Sequence, residues 1–524
     1  MCRARARARA RPQAAGHGRA AATRVAEGTA VDTGIIAVYL LALLLLSARW
    51  GRGHRSVVDY YVGGRRLGAT ALGISMLATQ SSTISFVSIP AFVALRPGGG
   101  VGWLVYELAV PLAMLVAGWA LVPTLRRREL ISIYEFAEQR YGVTTRRALS
   151  LVFLLSRGLA TGVAVYATAL VLETCLGVSP VLAIVLVVAL TVVYDVLGGM
   201  TAVVYSDVLQ MLVLTGGLGA CIVFASAEAG GLLAAWEAFP EARKGGFDAA
   251  LGTGGEPLPL PAFFLGGLFL YLSYYGVDQS QSQRLLAARD ERDSRRALLL
   301  NGLLRFPLTL GYLALGVCAI GLAPGLIGTG SADTLVPELI RQVLPTGLRG
   351  LVFAALLAAG MSSLDSALNA LSAVTHRDIL GDWLRRPMAR PLLISRLTTL
   401  AWGVFVGAFA LLVEHISPTA IEAINKVGSA FYGPVLAIFL LALRGARCTE
   451  PRAIVALASG VGTNLACWLL LPQLHWMWWN ALGWGITTLI GWQPGGRSDA
   501  DRTPMPSWFW APLAGSFVLL ALIP

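Results

Sequence analysis

Long apolar runs without charges recur along this whole chain, and they constrain its fold more than any other feature. Runs of about 18 to 25 such residues are typical of membrane-spanning helices, because roughly 20 residues of α-helix cross the hydrocarbon core of a bilayer. Of the 524 residues, 56% are hydrophobic and only 13% are charged, whereas about 25% of a typical soluble domain is charged. The sequence predicts an all-α polytopic membrane protein and excludes a soluble or disordered chain.

The apolar runs predict fourteen spans with short loops between them. They lie near residues 31–48, 67–95, 102–124, 149–174, 178–197, 204–226, 262–284, 297–322, 348–375, 394–414, 419–444, 453–472, 475–492 and 507–523. Spans of about 22 residues use most of the chain, so no separate soluble catalytic domain is expected. Trp476, Trp478 and Trp479 are expected to form an aromatic belt at the membrane interface.

Arginines collect in alternate loops, for example at residues 126–128, 146–147, 284–296 and 444–452. Loops rich in basic residues stay on the cytoplasmic side of a membrane, so we interpret most of the net charge of +12 as loop arginines that fix the orientation. The clusters lack the interleaved aromatic residues of a nucleic-acid surface. We expect a multi-pass protein of the plasma (inner) membrane whose partners are a small-molecule solute and the lipid bilayer, with neither nucleic acid nor an obligate protein partner.

Residues 1–24 form a low-complexity segment of arginine and alanine that conflicts with this topology, because the topology places the N-terminus outside. The segment has no apolar core that would make it a signal peptide. We interpret it as sequence that is not native, with the functional chain beginning near Val25. The alternative is a basic tail that lies on anionic lipid, which requires the opposite topology.

Two groups of five spans, residues 67–226 and 262–444, begin on opposite sides of the membrane because five is an odd number. Two similar units of this kind are inverted relative to each other, which is a recurrent architecture of secondary transporters. One helix at residues 31–48 precedes the first repeat, and accessory helices at residues 453–523 follow the second. The sequence therefore predicts a five-plus-five inverted-repeat transporter core.

The first helix of each repeat is interrupted by polar residues. Residues 79–83 and Pro90 interrupt the first, and Ser273, Gly276, Asp278 and Gln279 interrupt the second. Irregular backbone at membrane depth is tolerated only where it lines a cavity or is buried by protein. The matched positions favour a binding site between the two helices, although Ser and Thr clusters also serve simply to pack helices closely.

One predicted span, residues 348–375, carries a polar stripe. Ser362, Asp365 or Ser366, and Asn369 recur at spacings of three and four, which places them on one face of a helix. Hydroxyl and carbonyl oxygens suit hard cations such as sodium. The stripe therefore predicts a sodium site against an interrupted helix, or else a row of small residues for close helix packing.

Two acids near this stripe need an explanation. An unpaired carboxylate in the hydrocarbon zone costs a few kcal/mol or more, so Asp365 needs a metal cation, Arg157 or a proton as its partner. Asp207, at the start of a predicted span, is a second acid that faces the same region. The alternative for Asp207 is an ordinary helix-start residue favoured by the helix dipole.

Six segments, in order, resemble those of the sodium:solute symporter family, and the resemblance covers residues 31–492. The segments are VGGRRLGATALGISMLATQSSTISF at 62–86, ISIYEFAEQRYG at 131–142, YDVLGGMTAVVYSDVLQ at 194–210, DQSQSQRLLAARDERDSRRALLLNGLLR at 278–305, MSSLDSALNALSAVTHRDIL at 361–380 and NKVGSAFYGPVLAIFLLAL at 425–443. The resemblance implies the inverted-repeat fold shared with the leucine transporter, and Na+ as the coupling ion.

The resemblance also implies sodium ligands. The principal sodium site of the family uses backbone oxygens of the unwound first helix, with one carbonyl and two hydroxyls on the eighth core helix. These positions fall on Ala78, Ser81, Ala359, Ser362 and Ser363. A second sodium site, present in some members, maps to Asp207, Asp365 and Ser366, together with Ser362.

Substrate positions of the family map to Gln80, Ser85, Glu107, Tyr274 and Asn425. Tyr274 resembles the aromatic inner gate of the sugar-transporting branch, and Glu107 matches a sugar-contacting glutamate, but Ser85 stands where that branch has glutamine. Arg157 is a further candidate from its chemistry, because a guanidinium binds the carboxylate of an anionic solute. The alternative is that Arg157 pairs with an acid inside the membrane.

These observations predict a secondary active transporter that imports a small polar or anionic organic solute with sodium by alternating access, and no enzyme activity. Proton coupling through Asp207 or Asp365 is the alternative within transport, because a carboxylate in a low dielectric can hold a proton. Uncoupled transport is a further alternative. A membrane sensor that binds solute without moving it is the alternative outside transport.

Overall fold

The computed structural model describes residues 11–52, 54–96, 98–245, 248–322, 334–381, 389–413, 420–446 and 448–493, without the side chains of 11–29, 174–175 and 420–427. Residues 1–10 and the predicted span 507–523 lie outside the described part. The first helices are α1 (Arg11–Trp50), α2 (Val57–Val62), α3 (Ala69–Gln80), α4 (Thr83–Ala94), α5 (Val101–Arg126), α6 (Tyr134–Tyr141), α7 (Val143–Leu176) and α8 (Pro180–Glu228).

The helices that follow are α9 (Leu232–Ala238), α10 (Glu241–Lys244), α11 (Ala262–Val277), α12 (Gln279–Ala287), α13 (Glu291–Leu322), α14 (Leu335–Val343), α15 (Leu348–Leu380), α16 (Pro391–Val413), α17 (Ala420–Leu443), α18 (Glu450–Leu470) and α19 (Met477–Gly491). Within the described ranges, eight helices are long and apolar enough to span a membrane, and a ninth span is the bent pair α3 and α4. The predicted all-α membrane architecture is therefore confirmed.

Helix α8 contains two of the predicted spans, which meet at Gly199. This glycine has φ 50° and ψ −158°, a conformation that side-chain-bearing residues rarely adopt. A Cβ there would lie 2.7 Å from the carbonyl oxygen of Tyr60. Gly199 thus divides α8 into two spans and lets α2 pack directly against the turn.

The first predicted interruption is a sharp bend between α3 and α4. The two helices meet at an angle of 59°, and Ser81 between them has the non-helical angles φ −86° and ψ 72°. The hydroxyl of Thr83 donates to the carbonyl of Leu356 on α15 at 2.7 Å. The bend therefore presents backbone and hydroxyl groups to α15.

The second predicted interruption lies at Asp278, between α11 and α12. Asp278 has extended angles, and its carboxylate accepts hydrogen bonds from the backbone and the hydroxyl of Ser280 at 2.9 and 2.5 Å. An aspartate in this position caps the first turn of a helix. The break is thus built by one residue that ends α11 and caps α12.

Helix α15 is the central element, since it is buried along nearly its whole length and packs against α3, α4, α7, α8 and α12. Helix α1 packs on α8 and α15 from outside this core. Asp32 of α1 accepts from the backbone N–H groups of Gly347 and Gly350 at 2.7 and 3.0 Å, and its other oxygen pairs with Arg349 at 2.6 Å. The extra N-terminal helix therefore caps the outer end of α15.

A buried polar network joins the cytoplasmic ends of α7 and α15 to the segment before α6. Asp378 pairs with Arg146 at 2.7 Å and accepts from the hydroxyls of Ser132 and Ser150 at 2.5 and 2.8 Å. Gln279, at the start of α12, holds the same segment through its side-chain amide. These bonds close the predicted cytoplasmic side of the molecule.

The expectation of an interfacial tryptophan belt is wrong for two of its three members. Trp478 and Trp479 are buried inside the protein, and the indole of Trp478 donates to the carbonyl of Leu251 at 2.6 Å. Trp476 lies at a cavity described below. The spacing of tryptophans in the sequence does not distinguish a side chain that faces lipid from one that packs inward, as Trp478 of α19 packs against the loop after α10.

Candidate functional site

A cavity of about 250 Å³ opens between the two interrupted helices. It is bordered by α3, α4, α5, α7, α11, α13, α15 and α17. Five of the predicted substrate residues line it: Gln80, Ser85, Glu107, Arg157 and Tyr274. The side chain of the sixth, Asn425, lies outside the described residues. The structure thus brings together side chains that are up to 194 positions apart, from Gln80 to Tyr274.

Arg157 on α7 forms one charged pair at this cavity. Its guanidinium donates to the carboxylate of Asp278 at 2.5 Å and lies over the ring of Tyr274, 5.4 Å from the ring centre. The hydroxyl of Tyr274 in turn accepts from Gln281 at 3.0 Å. Arg157 is therefore the partner of Asp278 and not of Asp365, which corrects one of the expectations for Asp365.

Glu107 on α5 belongs to a second pair. Arg305 of α13 donates to both of its carboxylate oxygens, one of these bonds measuring 3.0 Å. The guanidinium of Arg305 also lies over the ring of Tyr271 at 5.3 Å. Arg305 was missed by the sequence analysis, although a charge in the middle of the predicted span 297–322 is itself a signal of a functional position.

In both pairs the arginine lines the cavity and is more exposed than its carboxylate. The side chains of Arg157 and Arg305 are 16% and 14% exposed, whereas those of Asp278 and Glu107 are 4% and 3% exposed. Each pair is neutral as a whole, but its guanidinium is the more accessible partner. The cavity surface therefore presents N–H donors of two cations, which suits an acceptor-rich or anionic ligand.

The predicted sodium ligands meet where the bend after α3 contacts α15. The Ser362 hydroxyl lies 3.2 Å from the carbonyl oxygen of Ala78 and 3.0 Å from that of Ala359. The Ser363 hydroxyl lies 3.0 Å from the carbonyl oxygen of Thr79. Ser81 is the non-helical residue of the bend itself.

This donor set fits a sodium ion. Its members are neutral hydroxyl and carbonyl oxygens, which are hard donors, and they come from the bend after α3 and from α15. Thr79 supplies a carbonyl that the sequence analysis did not name. Ser363 and Thr79 also line the cavity, so the predicted sodium ligands border the predicted solute site.

The proposed residues of a second sodium site lie in a dense polar cluster below the first. Asp207 is fully buried within α8 and pairs with Arg284 of α12 at 2.8 Å, so its alternative interpretation as an ordinary helix-start residue is wrong. The hydroxyl of Ser75 donates to the same carboxylate at 2.5 Å. Arg284 also donates to the hydroxyl of Ser366, which joins α3, α8, α12 and α15.

Asp365 takes its hydrogen bonds from uncharged groups. The Tyr194 hydroxyl donates to one of its oxygens at 2.5 Å, and the Ser366 hydroxyl contacts the other at 3.1 Å.

Arg284 was not singled out in the sequence because it stands at the end of an apolar run, where an arginine is interpreted as part of a loop. The break at Asp278 is what carries it inside, where it is 1% exposed.

The arrangement of two interrupted helices around a polar cavity agrees with the comparison to known families. The model of the sodium:solute symporter family matches residues 60–460 of this chain, which is more than half of it. The chain belongs to the sodium:solute symporter family. It is a multi-pass protein of the plasma membrane and a sodium-coupled symporter of an organic solute, not an enzyme.

Individual relatives match most of the chain. The symporter is 28% identical to the sodium-dependent multivitamin transporter of Oryctolagus cuniculus, over 83% of this chain and 69% of that protein. It is 26% identical to the sodium/sialic acid symporter SiaT of Proteus mirabilis, over 83% and 89%. A solved structure of a Na+-coupled sialic acid symporter, in a substrate-bound outward-open state, has a TM-score of 0.80 with 24% identity and covers 89% of this chain and 98% of that one. The inverted-repeat fold expected from the sequence is therefore confirmed.

Proposed function

We propose that the organic solute of this symporter is small, polar and anionic, and that it binds in the cavity between the interrupted helices. The observation that carries the proposal is that Arg157 and Arg305 both line the cavity and are more exposed than their partners Asp278 and Glu107. Sialic acid symporters are among the relatives, which supports an acid as the solute.

Arg157 is the better anchor for a solute carboxylate. Arg305 already binds both oxygens of Glu107, whereas Arg157 gives Asp278 a single nitrogen. A guanidinium has five N–H donors and forms its strongest pairs with two of them. A solute carboxylate therefore has donors left to bind on Arg157, with the ring of Tyr274 beneath it and with Gln80, Ser85 and Glu107 available for its hydroxyl or amide groups.

Asn425, whose side chain lies outside the described residues, is proposed as a further solute contact from the family resemblance alone. The repeats are proposed to comprise residues 67–226 and 262–444, with the helix at 31–48 before them and accessory helices at 453–523 after them. The α3 and α4 bend and the Asp278 break support this division, because each lies in the first helix of its repeat. The interpretation of residues 1–24 as non-native stays a prediction.

The sodium ion is proposed to bind the backbone oxygens of Ala78 and Ser81 at the end of α3. On α15 it is proposed to bind the carbonyl oxygen of Ala359 and the hydroxyls of Ser362 and Ser363. An ion that binds the outward-facing state more tightly shifts the population toward it, and so raises the affinity for solute by the same coupling free energy. Ser363, a proposed sodium ligand, also lines the cavity, which supports such coupling.

A second sodium is proposed at Asp365 and Ser366, with Asp207 at its edge. Asp207 has Arg284 as its charge partner, whereas Asp365 has only hydroxyl neighbours among its described hydrogen bonds. An ion at this position therefore balances the charge of Asp365. A Hill coefficient of one for sodium, with no net charge moved per monoanionic solute, would argue against it.

The solute class is tested by thermal unfolding of the purified symporter in Na+ or in K+. The ligands are sialic acid, lactate, glucose and an amino acid, with Arg157→Gln and Arg295→Gln as variants. Arg295 forms a surface pair within α13 and serves as the matched control. We expect an acid to raise the unfolding temperature only in Na+ and only when Arg157 is present. Stabilisation by glucose alone, unchanged in Arg157→Gln, would contradict the proposal.

A further inference from the structure

We propose that sodium leaves its site toward the cytoplasm along one face of α15, and that Asp195 is a transit site for the ion on this route. The inference rests on the sodium site proposed above at Ser362 and Ser363. The buried carboxylate of Asp195 lies outside both proposed sodium sites and outside the solute cavity. It is the group that this proposal explains.

The route begins as a column of polar side chains on α15. Each member is three or four residues from another member, so they follow one side of the helix, and all are at most 2% exposed. They are Ser362, Asp365, Ser366, Asn369 and Ser372. At about 1.5 Å of rise per residue the column is roughly 15 Å long, which carries it from the sodium site toward the cytoplasmic end of α15.

Each step of the column has a polar partner on a neighbouring helix. Tyr194 donates to Asp365 at 2.5 Å, and the next residue along α8, Asp195, accepts from the amide of Asn369 at 3.1 Å. Gln283 of α12 donates to the oxygen of Asn369 at 2.8 Å. Helices α8 and α12 therefore continue the polar lining below the cluster around Arg284.

Asp195 is distinguished by what it lacks. Its side chain is fully buried, Oδ1 accepts the Asn369 amide, and Oδ2 has no hydrogen-bond partner among the described residues. Within the same ranges no Lys or Arg pairs with it, whereas Asp207 has Arg284. The negative charges of Asp207 and Asp195 also act on Asp365. Asp195, Asp207 and Asp365 thus lie near a single arginine, Arg284. Their excess negative charge favours the binding of a mobile cation.

Such a carboxylate suits a transit site better than a storage site. An ion pathway requires sites that bind strongly enough for the ion to enter and weakly enough for it to leave. A single free carboxylate oxygen meets this condition, because it attracts sodium without the four or five ligands of the main site. The position one helix turn below Asp365 places Asp195 next in line for a departing ion.

The column is closed at its cytoplasmic end by two aromatic residues of α2. The hydroxyl of Tyr61 bonds to Ser372 at 2.8 Å, and its ring lies 5.0 Å from that of Tyr60. The hydroxyl of Tyr60 reaches the backbone carbonyl of Asp195 at 3.4 Å. In this structure α2 therefore covers the exit, and release requires Tyr60 and Tyr61 to separate from the column.

The proposal is tested with proteoliposomes in which solute uptake and solute efflux are measured separately. Efflux is driven by sodium on the cytoplasmic side, so its half-saturating sodium concentration reports entry through the proposed route. We expect Asp195→Asn to raise the half-saturating internal sodium concentration for efflux several-fold. The half-saturating external sodium concentration for uptake is expected to stay unchanged. Asp195→Glu, which keeps the charge, is expected to restore most of the internal affinity.

Asp32→Asn is the matched control, because it removes a buried carboxylate at the opposite end of α15 and is expected to leave the internal value unchanged. Ser372→Ala, a smaller change, is expected to shift the internal value in the same direction if Asp195→Asn does not fold. The proposal is overturned if Asp195→Asn leaves the half-saturating internal sodium concentration unchanged, or if it raises the internal and external half-saturating concentrations together. It is also overturned if Asp32→Asn has the same effect. A failure of the main sodium site is seen separately, as unchanged external sodium dependence in the Ser362 and Ser363 variants.

Discussion

The guanidinium of Arg157 donates to the carboxylate of Asp278 at 2.5 Å, joining the wall of the solute cavity to the break between α11 and α12. The next residue, Gln279, accepts from the N–H of Ile133 at 2.9 Å and donates to the carbonyl of Ile131 at 2.8 Å. Two consecutive residues therefore connect the cavity with the segment that closes the cytoplasmic side. A change at Arg157 on solute binding can thus reach the cytoplasmic closure through a single break in one helix.

Replacing Arg157 by lysine should weaken the binding of an anionic solute. Lysine keeps the charge but cannot form a two-nitrogen pair with a carboxylate. A charge-assisted hydrogen bond contributes about 1.5 to 3 kcal/mol, so the KM for solute should rise roughly tenfold or more. Uptake kinetics at saturating sodium measure this effect. A KM that stays unchanged for Arg157→Lys and Arg157→Gln alike would assign Arg157 a purely structural role.

Removing both hydroxyls of the sodium site should weaken sodium dependence strongly. In Ser362→Ala with Ser363→Ala, two ligands of the ion are lost, and at about 1.4 kcal/mol each the half-saturating sodium concentration would rise roughly a hundredfold. Sodium titration of uptake and of thermal unfolding measures the change. Ser226→Ala is the control, because that hydroxyl bonds only a carbonyl of its own helix, Val223. Unchanged sodium-driven uptake in the double variant would refute the site.

Replacing Gln279 by methionine should loosen the cytoplasmic closure. The change leaves a buried N–H and a buried carbonyl without partners, at a cost of about 1 to 3 kcal/mol each, and so shifts the population toward the inward-facing state. Ala367, which lines the cavity, can be replaced by cysteine in a background without other cysteines. We expect faster labelling of that cysteine from the cytoplasmic side. Gln139→Met, at an exposed position of α6, is the control and should label as the parent does.

Replacing Gly350 by alanine should destabilise the protein. A Cβ at this position would lie 2.6 Å from the Cα of Asp32 and 2.8 Å from its carbonyl oxygen, so α1 must move away from α15. Overpacking of this kind costs about 1 to 3 kcal/mol, which a lowered unfolding temperature in detergent would report. At Gly219 a Cβ has nothing within 4 Å, so Gly219→Ala should show no loss. Equal stability of both variants would show that α1 does not depend on this contact.

The two helix breaks illustrate what local sequence can predict. A run of polar residues at 79–83 breaks the first helix close to the predicted place, and Asp278 does the same in the second. The physical reason is local, because polar side chains that bond to their own backbone compete with the helix. The predicted substrate residues Gln80 and Tyr274 also line one cavity, since the interrupted first helices of two inverted repeats meet at the centre of the fold.

The pairing of charges could not be predicted in the same way. The sequence suggested Arg157 as one possible partner of Asp365. In the structure Arg157 pairs with Asp278, and Asp365 accepts a hydrogen bond from Tyr194. Arg284 was read as a loop residue and is fully inside. Which acid meets which arginine depends on the rotation of each helix about its axis, and that rotation is set by packing against several neighbours at once.

The sequence by itself determined the class of this protein, its helical spans, the two breaks and the polar stripe of α15, because hydrophobic length and residue spacing act within one helix. Only the tertiary structure decided that Arg305 lines the cavity in a pair with Glu107, that Arg284 enters the core, and that Asp195 is buried with no cationic partner among the described residues. These features depend on contacts between residues far apart in the chain. A single sequence records the chemistry of each residue, whereas the partner of each charge is chosen by how the helices pack.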